Sequence, residues 1–404
     1  MSPALTTDKR TSATMPKQNV DTAISMSSID RPIAMASGLP SAWYTVADAL
    51  EAEFESIFSA GWFCLGFGKD IPKPGDAKPV ELLGRPLLLL RDRSGDIRVF
   101  HNVCSHRGMT LVQQATSKLR VLRCPYHHWC YDLSGALSAT PNVGGAGVHE
   151  HAEFDKSGKG LKEVRSAVWF DLIFVDLGGA AEDFSQFIAP LNSRWSDFAD
   201  AQFTHGGEDS SGRLEVGANW KLAVENYCES YHLPSIHPGL NSYSRLEDHY
   251  DLMEPDRFSG QGSRVYQPML SEDGRSFKSL SELPDHWATR AEYISLYPNV
   301  LLGIHHDHFL AVRLDPIGVA KTVEELEIYY MAEASVAGDC ADLRKSNLRL
   351  WRQVFQEDVF AVEGMQAGRR SPAFNGGAFS PAMDRPTHCF HKWLAKRLGT
   401  TPPH

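Results

Sequence analysis

Two short loops each carry a cysteine and a histidine at a spacing suited to metal binding. "HNVCSHRGM" (101–109) contains Cys104 and His106, and "RCPYHHWCYDLSG" (123–135) contains Cys124 and His127. A zinc site of two cysteines and two histidines usually takes both cysteines from one loop and both histidines from another. Here each loop offers one of each, which favours an iron-sulfur centre whose two irons have different ligand types. Zinc, or ordinary packing of the four side chains, stays as an alternative.

A second group of metal-binding residue types lies in "NWKLAVENYCESYHLPSIHPGL" (219–240). The spacing predicts a helix in which Glu229 and His232 share a face away from the apolar stripe. Pro234 is expected to end this helix and to let His237 turn back toward His232. Two imidazoles at one point can bind a mononuclear iron if a carboxylate joins them.

The carboxylate is predicted further along, in "LRLWRQVFQEDVFAVEGMQAG" (348–368). Asp358 falls on the apolar face of this predicted helix, between Trp351 and Val362. A buried carboxylate is unfavourable unless it is paired or binds a metal. Glu357 lies off the apolar face and is expected to be solvated or salt-bridged, which leaves Asp358 as the preferred iron ligand.

These two groups together resemble the Rieske non-haem iron oxygenase α subunits, the ring-hydroxylating oxygenase family. "CSHRG" and "CPYHHWCYDLSG" are similar to the Rieske loops, and "NWK", the two histidines and the distant "ED" are similar to the catalytic domain. The resemblance implies a [2Fe-2S] cluster on Cys104, His106, Cys124 and His127, and a mononuclear Fe(II) on His232, His237 and Asp358. Respiratory Rieske proteins join their loops by a disulfide, whereas this chain has Met109 and Tyr126 there. His128 is a departure, since many relatives have glycine.

The resemblance also implies how electrons arrive. In this family a carboxylate three residues before the first iron-ligand histidine bridges to the Rieske histidine of a neighbouring subunit in a homotrimer, and Glu229 occupies that position. Most relatives have aspartate there, and glutamate resembles carnitine oxygenase and related enzymes of quaternary amines. The chain has no nicotinamide-binding fingerprint, so NAD(P)H electrons are expected through a separate reductase.

The elements that must position these residues predict an α+β protein. Short strands dominate from about 76 to 175, and the chain after 176 mixes helices with strands and ends with a long helix from about 342 to 369. We therefore expect a small all-β Rieske domain (61–175) inserted in a catalytic domain (39–60 and 176–404). The resemblance implies a helix-grip fold with an antiparallel sheet for the catalytic domain. Residues 1–38 are polar and are predicted to be a disordered tail.

Composition excludes several classes of partner. The net charge of −10 comes without a basic stripe, which argues against nucleic acid. The longest apolar runs, such as "PLLLL" (86–90), are far too short to span a membrane. The seven cysteines are an odd number without the spacing of a disulfide framework, so a cytoplasmic location is predicted.

The substrate is less closely defined by the sequence. Glu229 favours hydroxylation or oxidative N-demethylation of a betaine-like quaternary amine, with a mono- or dioxygenase of aromatic acids as the alternative. A Rieske electron carrier without catalysis is the alternative from another class. "HHDH" (305–308) could bind a metal but more often lines the substrate pocket. Aromatic residues that could surround a trimethylammonium group are dense from 243 to 309, although most such residues are core: Tyr243, Tyr250, Phe258, Tyr266, Trp287, Tyr293, Tyr297 and Phe309.

Overall fold

The strands form three antiparallel sheets. A computed structural model describes residues 22–280 and 282–399. In chain order its strands are β1 (Phe63–Phe67), β2 (Ala77–Leu82), β3 (Arg85–Arg91), β4 (Ile97–His101), β5 (Leu122–Arg123), β6 (Cys130–Tyr131), β7 (Leu137–Ala139), β8 (Glu163–Trp169), β9 (Leu172–Asp176), β10 (Thr204–His205), β11 (Ser211–Val216), β12 (His249–Glu254), β13 (Phe258–Ser263), β14 (Ala291–Leu296), β15 (Val300–Ile304), β16 (His308–Gly318) and β17 (Lys321–Tyr330).

The helices are short except for two near the end of the chain. They are α1 (Thr22–Ile29), α2 (Ala42–Thr45), α3 (Ala47–Glu53), α4 (Phe184–Arg194), α5 (Trp220–Tyr227), α6 (Leu233–Ile236), α7 (Pro238–Asn241), α8 (Glu333–Val336), α9 (Ala341–Gly368) and α10 (Arg385–Leu398). None of the helices in the described part of the chain has both the length and the apolar composition needed to cross a bilayer.

The first half of the chain builds a six-stranded sheet and a small three-stranded sheet. The larger has the order β1-β9-β8-β4-β3-β2, and the smaller has the order β5-β6-β7. Leu88, Leu90 and Phe100 extend from the larger sheet into an apolar cluster that also contains Cys104 and Cys124. The first Cys/His loop follows β4 and the second joins β5 to β6, so both are anchored to strands on either side of one core.

The second half builds a larger antiparallel sheet covered by the long helix α9. Its order is β10-β17-β16-β15-β14-β13-β12, and β11 also pairs with β17. Leu326 and Ile328 of β17 lie in the same apolar cluster as Trp351 and Phe355 of α9. This helix was predicted at 342–369, and the α+β class with an antiparallel sheet is confirmed.

The two faces of β17 have different partners. Side chains alternate across a strand, so Glu327 and Tyr329 point away from α9. Glu327 forms an ion pair with Lys69 at 2.8 Å, and the Tyr329 hydroxyl donates to Asp171 Oδ2 at 2.9 Å. Lys69 and Asp171 both belong to the first half of the chain. One face of β17 therefore packs against α9, and the other face contacts the first half of the chain.

Two predicted features differ from the structure or stay open. Residues 22–38 were predicted as part of a disordered tail, but α1 lies there, and its Met26 and Ile29 are buried in the main apolar cluster. Residues 1–21 of that tail lie outside the described residues. The division into 61–175 and 39–60 with 176–404 stays a prediction.

Candidate metal sites

The two Cys/His loops have the same backbone hydrogen bonds. In the first, Cys104 N–H donates to Met109 O at 2.8 Å, and Gly108 N–H donates to Cys104 O at 3.0 Å. In the second, Cys124 N–H donates to Trp129 O at 2.8 Å, and His128 N–H donates to Cys124 O at 3.0 Å. Each cysteine thus begins an equivalent tight turn, which explains why the two sequences look alike.

The matching turns account for the departure at His128. Gly108 has a φ of 72°, and His128, at the equivalent place in the second loop, has a φ of 60°. This left-handed region suits glycine, and most residues with a side chain adopt it only at a cost. The second turn therefore has a backbone conformation that glycine adopts more readily than histidine.

The four predicted cluster ligands lie close together, with the cysteines more deeply buried than the histidines. Cys104 and Cys124 are each 1% exposed, and the rings of His106 and His127 lie 4.5 Å apart, centre to centre. Burial raises the pKa of the Cys124 thiol, and the neighbouring Cys104 thiol adds to this. Nδ1 of His106 is buried without a hydrogen-bond partner. Two buried thiols beside an imidazole nitrogen with a free lone pair fit a cluster with two sulfur and two nitrogen ligands.

A tyrosine contacts the sulfur side of this site. Tyr131 Oη lies 3.1 Å from Cys104 Sγ and accepts the Ser105 N–H at 3.0 Å. Burial and the Cys104 contact raise the pKa of Tyr131 to about 12, so it stays a neutral phenol with a proton to donate. Hydrogen bonds to cluster sulfurs affect reduction potential.

The second site brings His232, His237 and Asp358 together. Their ligand atoms all lie within 4.8 Å of one another, and across residues 22–280 and 282–399 no other three His, Cys, Asp or Glu side chains meet this condition. Asp358 Oδ1 lies 2.9 Å from His237 Nε2 and 3.6 Å from His232 Nε2. Two imidazoles and one carboxylate at these distances fit a 2-His-1-carboxylate iron site.

Two glutamates orient the histidines of this site. Glu229 Oε1 lies 2.6 Å from His232 Nδ1, and Glu357 Oε2 lies 2.8 Å from His237 Nδ1. A carboxylate that accepts from Nδ1–H leaves the Nε2 lone pair free for a metal. Burial alone would lower the pKa of His237, but Asp358 and then Glu357 raise it by hydrogen bonds and charge. Glu357, predicted to be solvated or salt-bridged, therefore has a defined partner.

The segment that carries Glu229 and His232 is not the helix that was predicted. Helix α5 ends at Tyr227, and the chain continues without helical structure until α6 begins at Leu233. The Glu229 side chain accepts the backbone N–H of Tyr231 and, at 3.3 Å, that of His232. Such a local bond competes with helical hydrogen bonding. The prediction of one continuous helix was wrong because side-chain periodicity does not register this competition.

A cavity adjoins the three predicted ligands. Tyr227, Tyr293, Trp351 and Phe355 form its aromatic walls, and the described residues that line it include no lysine or arginine. Of the aromatic residues proposed between 243 and 309, Tyr293 is the one that lines this cavity. The sequence did not single out three polar side chains in its wall: Ser244, His249 and Gln261.

An unpredicted buried acid lies on the other side of Asp358. Glu324 of β17 is 6% exposed and lines a smaller cavity together with Asn226 and Asp358. Burial, and then the charge of Asp358, raises the pKa of Glu324 to about 8. Alternation along β17 could have identified Glu324 as an inward-facing residue, but not its proximity to Asp358, 34 positions away.

The "HHDH" sequence lies in a turn between β15 and β16 rather than along one strand. His308 has partners on both ring nitrogens: Asp307 lies 2.6 Å from Nδ1, and Trp351 donates to Nε2 at 3.2 Å. The rings of His305 and His308 are stacked 4.0 Å apart. This arrangement packs the two histidines against the aromatic wall behind the cavity.

Two family models match the chain. The Rieske [2Fe-2S] domain matches residues 61–158, and the ring hydroxylating alpha subunit (catalytic domain) matches residues 203–400. Among curated proteins, the chloroplastic choline monooxygenase of Arabidopsis thaliana is 28% identical over 383 residues, covering 91% of this chain and 84% of the relative. The carnitine monooxygenase oxygenase subunit of Escherichia coli (strain K12) is 26% identical over 349 residues, covering 84% and 86%.

Solved structures agree on the fold. The quaternary ammonium Rieske monooxygenase CntA in complex with L-carnitine superposes with a TM-score of 0.73 at 21% identity, covering 93% of this chain and 99% of the other. Naphthalene 1,2-dioxygenase from Rhodococcus sp. bound to indole gives a TM-score of 0.72 at 17% identity, covering 94% and 97%. Enzymes of quaternary amines and of aromatic hydrocarbons thus share this architecture, so substrate must be argued from the cavity.

Proposed function

Because the chain belongs to the Rieske non-haem iron oxygenases, we propose that it oxidises a quaternary ammonium substrate by hydroxylation or oxidative N-demethylation. The observation that carries this proposal is the wall of the cavity beside His232, His237 and Asp358. Aromatic faces attract a cation that has lost its water. The named relatives act on choline and carnitine, which are both quaternary amines.

The charges near the cavity support a cationic substrate. Asp358 lines the cavity, and none of the described lining residues is a lysine or an arginine. An aromatic acid would bring a carboxylate against a lining whose described residues offer it no lysine or arginine to pair with. The basic residue that would favour the aromatic-acid alternative is therefore missing from the described lining, and we put forward no second substrate class.

We assign the protein residues as follows. Cys104, His106, Cys124 and His127 bind the [2Fe-2S] cluster, and His232, His237 and Asp358 bind the mononuclear iron. When bound, these groups supply one-electron transfer and O₂ activation. Glu229 and Glu357 accept from Nδ1–H of the two iron-ligand imidazoles and so keep the Nε2 lone pairs free for the iron. The aromatic wall binds the ammonium group and excludes water from it.

The chain is the oxygenase component of a system that needs a reductase. We propose that three copies form a homotrimer, in which Glu229 bridges His232 to a cluster histidine of the neighbouring copy. The 2.6 Å contact between Glu229 and His232 supports one half of this bridge. We propose the cytoplasm as its location, because all seven cysteines are free thiols.

The test is a single turnover of the reduced, iron-loaded protein with O₂ and a panel of quaternary amines and aromatic acids, with formaldehyde and product mass as readouts. We expect a quaternary amine to lose one methyl group as formaldehyde or to gain one oxygen atom. Oxygen added to an aromatic ring, with all quaternary amines unchanged, would refute the substrate assignment.

Two variants test the iron site in the same assay. Asp358→Ala should keep the visible absorption of the cluster and lose product, because the site loses its carboxylate ligand. Asp342→Ala, on the exposed start of the same helix, is the matched control and should behave as the wild type. Normal turnover by Asp358→Ala would remove Asp358 from the ligand set.

A further inference from the structure

A buried glutamine connects the cavity wall to Glu229. Gln261 lies within β13, is 8% exposed, and lines the cavity. Its Nε2 donates to the backbone carbonyl of Glu229 at 2.9 Å, and its Oε1 lies 2.5 Å from Nδ1 of His249. Both ends of the buried amide therefore have partners, as a buried polar group requires.

These contacts define the orientation of the Gln261 amide. A backbone carbonyl only accepts, so the NH₂ end of Gln261 must face Glu229 and its oxygen must face His249. His249 then carries its proton on Nδ1 to donate to that oxygen. Its Nε2 lies 3.1 Å from Ser244 Oγ, and the Ser244 hydroxyl donates its own proton to Ser263 Oγ at 2.9 Å. A flipped Gln261 amide would place two acceptors face to face at Glu229.

The strand that carries Gln261 has little room to move. A Cβ on Gly260 would lie 2.0 Å from the Tyr293 carbonyl oxygen, and a Cβ on Gly262 would lie 2.3 Å from the Tyr250 ring. Both glycines thus permit close packing that a side chain would prevent. The backbone of Gln261, between them, is therefore held in place within the sheet.

The segment of Glu229 depends on contacts of this kind. It lies between α5 and α6 and belongs to neither helix. The Glu229 carboxylate contacts His232 Nδ1 and the N–H of Tyr231, both within the same segment. Gln261 is 32 positions away in the sequence and ties this segment to the sheet. Where the backbone of Glu229 lies determines where its carboxylate can reach.

We propose that Gln261 is a positioning residue, which together with His249 fixes Glu229 and couples the wall of the cavity to the carboxylate that bridges the two metal sites. The role of the carboxylate rests on the proposed function, whereas the anchoring of the segment does not. Since Gln261 and His249 both line the cavity, a substrate that packs against them also packs against the support of Glu229. Substrate binding and electron entry are coupled through these two side chains.

The experiment compares Gln261→Leu with a matched control in the full-length protein loaded with both metals. The control is Gln366→Leu, since Gln366 is also buried and its amide also bonds at both ends, to Asn219 N–H and Tyr44 O at 2.9 Å each, away from the cavity. Hydrogen exchange of the Tyr231 and His232 amides measures the anchoring without any turnover. Reoxidation of the reduced cluster by O₂ measures electron transfer.

We expect Gln261→Leu to exchange these two amides at least about tenfold faster and to slow cluster reoxidation at least about tenfold, because the Glu229 carbonyl loses a buried partner. Gln366→Leu should stay within about twofold of the wild type in both. Unchanged exchange in Gln261→Leu, or equal acceleration in both variants, would overturn the proposal.

Two further outcomes keep the test decisive. Faster exchange with normal reoxidation would overturn the coupling to electron transfer and would count against the bridging role of Glu229, while the anchor itself would stand. If Gln261→Leu does not load both metals, Gln261→Met replaces it, because methionine is unbranched and close in shape to glutamine. The same exchange and reoxidation criteria then apply.

Discussion

Glu225 is the central charge of a buried network, and neutralising it should weaken the fold in a pH-dependent way. The Glu225 carboxylate accepts from Arg369 at 2.8 Å and from the Tyr44 hydroxyl, and it lies 3.3 Å from His391 Nε2. These partners come from three separate parts of the chain. The perturbation is Glu225→Gln, which keeps the shape of the side chain and removes its charge.

The magnitude follows from the pKa of the carboxyl group. Burial alone would raise the pKa of Glu225, but Arg369 and His391, with a hydrogen bond from Tyr44, lower it from 4.5 to about 2. At roughly 1.4 kcal/mol for each pH unit of this difference, ionised Glu225 contributes about 3 kcal/mol to the free energy of unfolding. A depressed pKa gives stability that is present above pH 4.5 and is lost as pH falls toward 2. At pH 3.5 about 1 kcal/mol of it should be gone.

The assay is urea unfolding followed by tryptophan fluorescence at pH 7 and at pH 3.5. Glu225→Gln should be about 3 kcal/mol less stable than the wild type at pH 7 and about 2 kcal/mol less stable at pH 3.5. Glu215→Gln is the control, because Glu215 pairs with Arg213 and Lys321 at the surface, where water screens ion pairs and they contribute little to stability. The reasoning fails if the Glu225→Gln deficit stays constant or grows at the lower pH.

Two predictions concern the Cys/His loops. Tyr131→Phe removes a hydrogen bond to Cys104 Sγ, which stabilises the more negative reduced cluster, so a redox titration should give a midpoint potential about 40 mV lower; an equal or higher potential would contradict this. His128→Gly relieves a left-handed backbone that costs a residue with a side chain roughly 1 kcal/mol, so the visible absorption of the cluster should persist longer on heating. Gly108→Ala should shorten the time for which this absorption persists. A shorter time for His128→Gly would show that the imidazole itself stabilises the loop.

The sequence was most informative where chemistry depends on local spacing. Cys104 with His106, and Cys124 with His127, lie within three positions of each other, so their proximity follows from the turn that contains them. Asp358 was predicted as a ligand although it is far from the histidines in the sequence, because a carboxylate on an apolar helical face needs a partner. Its distance from the histidines could not be predicted, since it depends on how α9 packs over the sheet.

The sequence was least informative where a contact depends on the register between strands or on competition between bonds. Gln261 reaches Glu229 only because β13 pairs with β12 and β14 in one register, which no local pattern records. The predicted helix through Glu229 failed because one side chain competed for backbone N–H groups. Such competition has no signature in hydrophobic periodicity.

The two faces of β17 have a consequence for how this enzyme can diversify. Glu324 lines the smaller cavity beside Asp358, whereas Glu327 pairs with Lys69 on the opposite face. A substitution at an inward position can therefore alter the surroundings of the iron site while the outward ion pair stays intact. Alternate residues of β17 are thus under separate selection. The substrate selects the inward residues, and the contact between the two halves of the chain selects the outward ones. Libraries that vary only the inward positions should retain folded members at a higher frequency than libraries that vary every position.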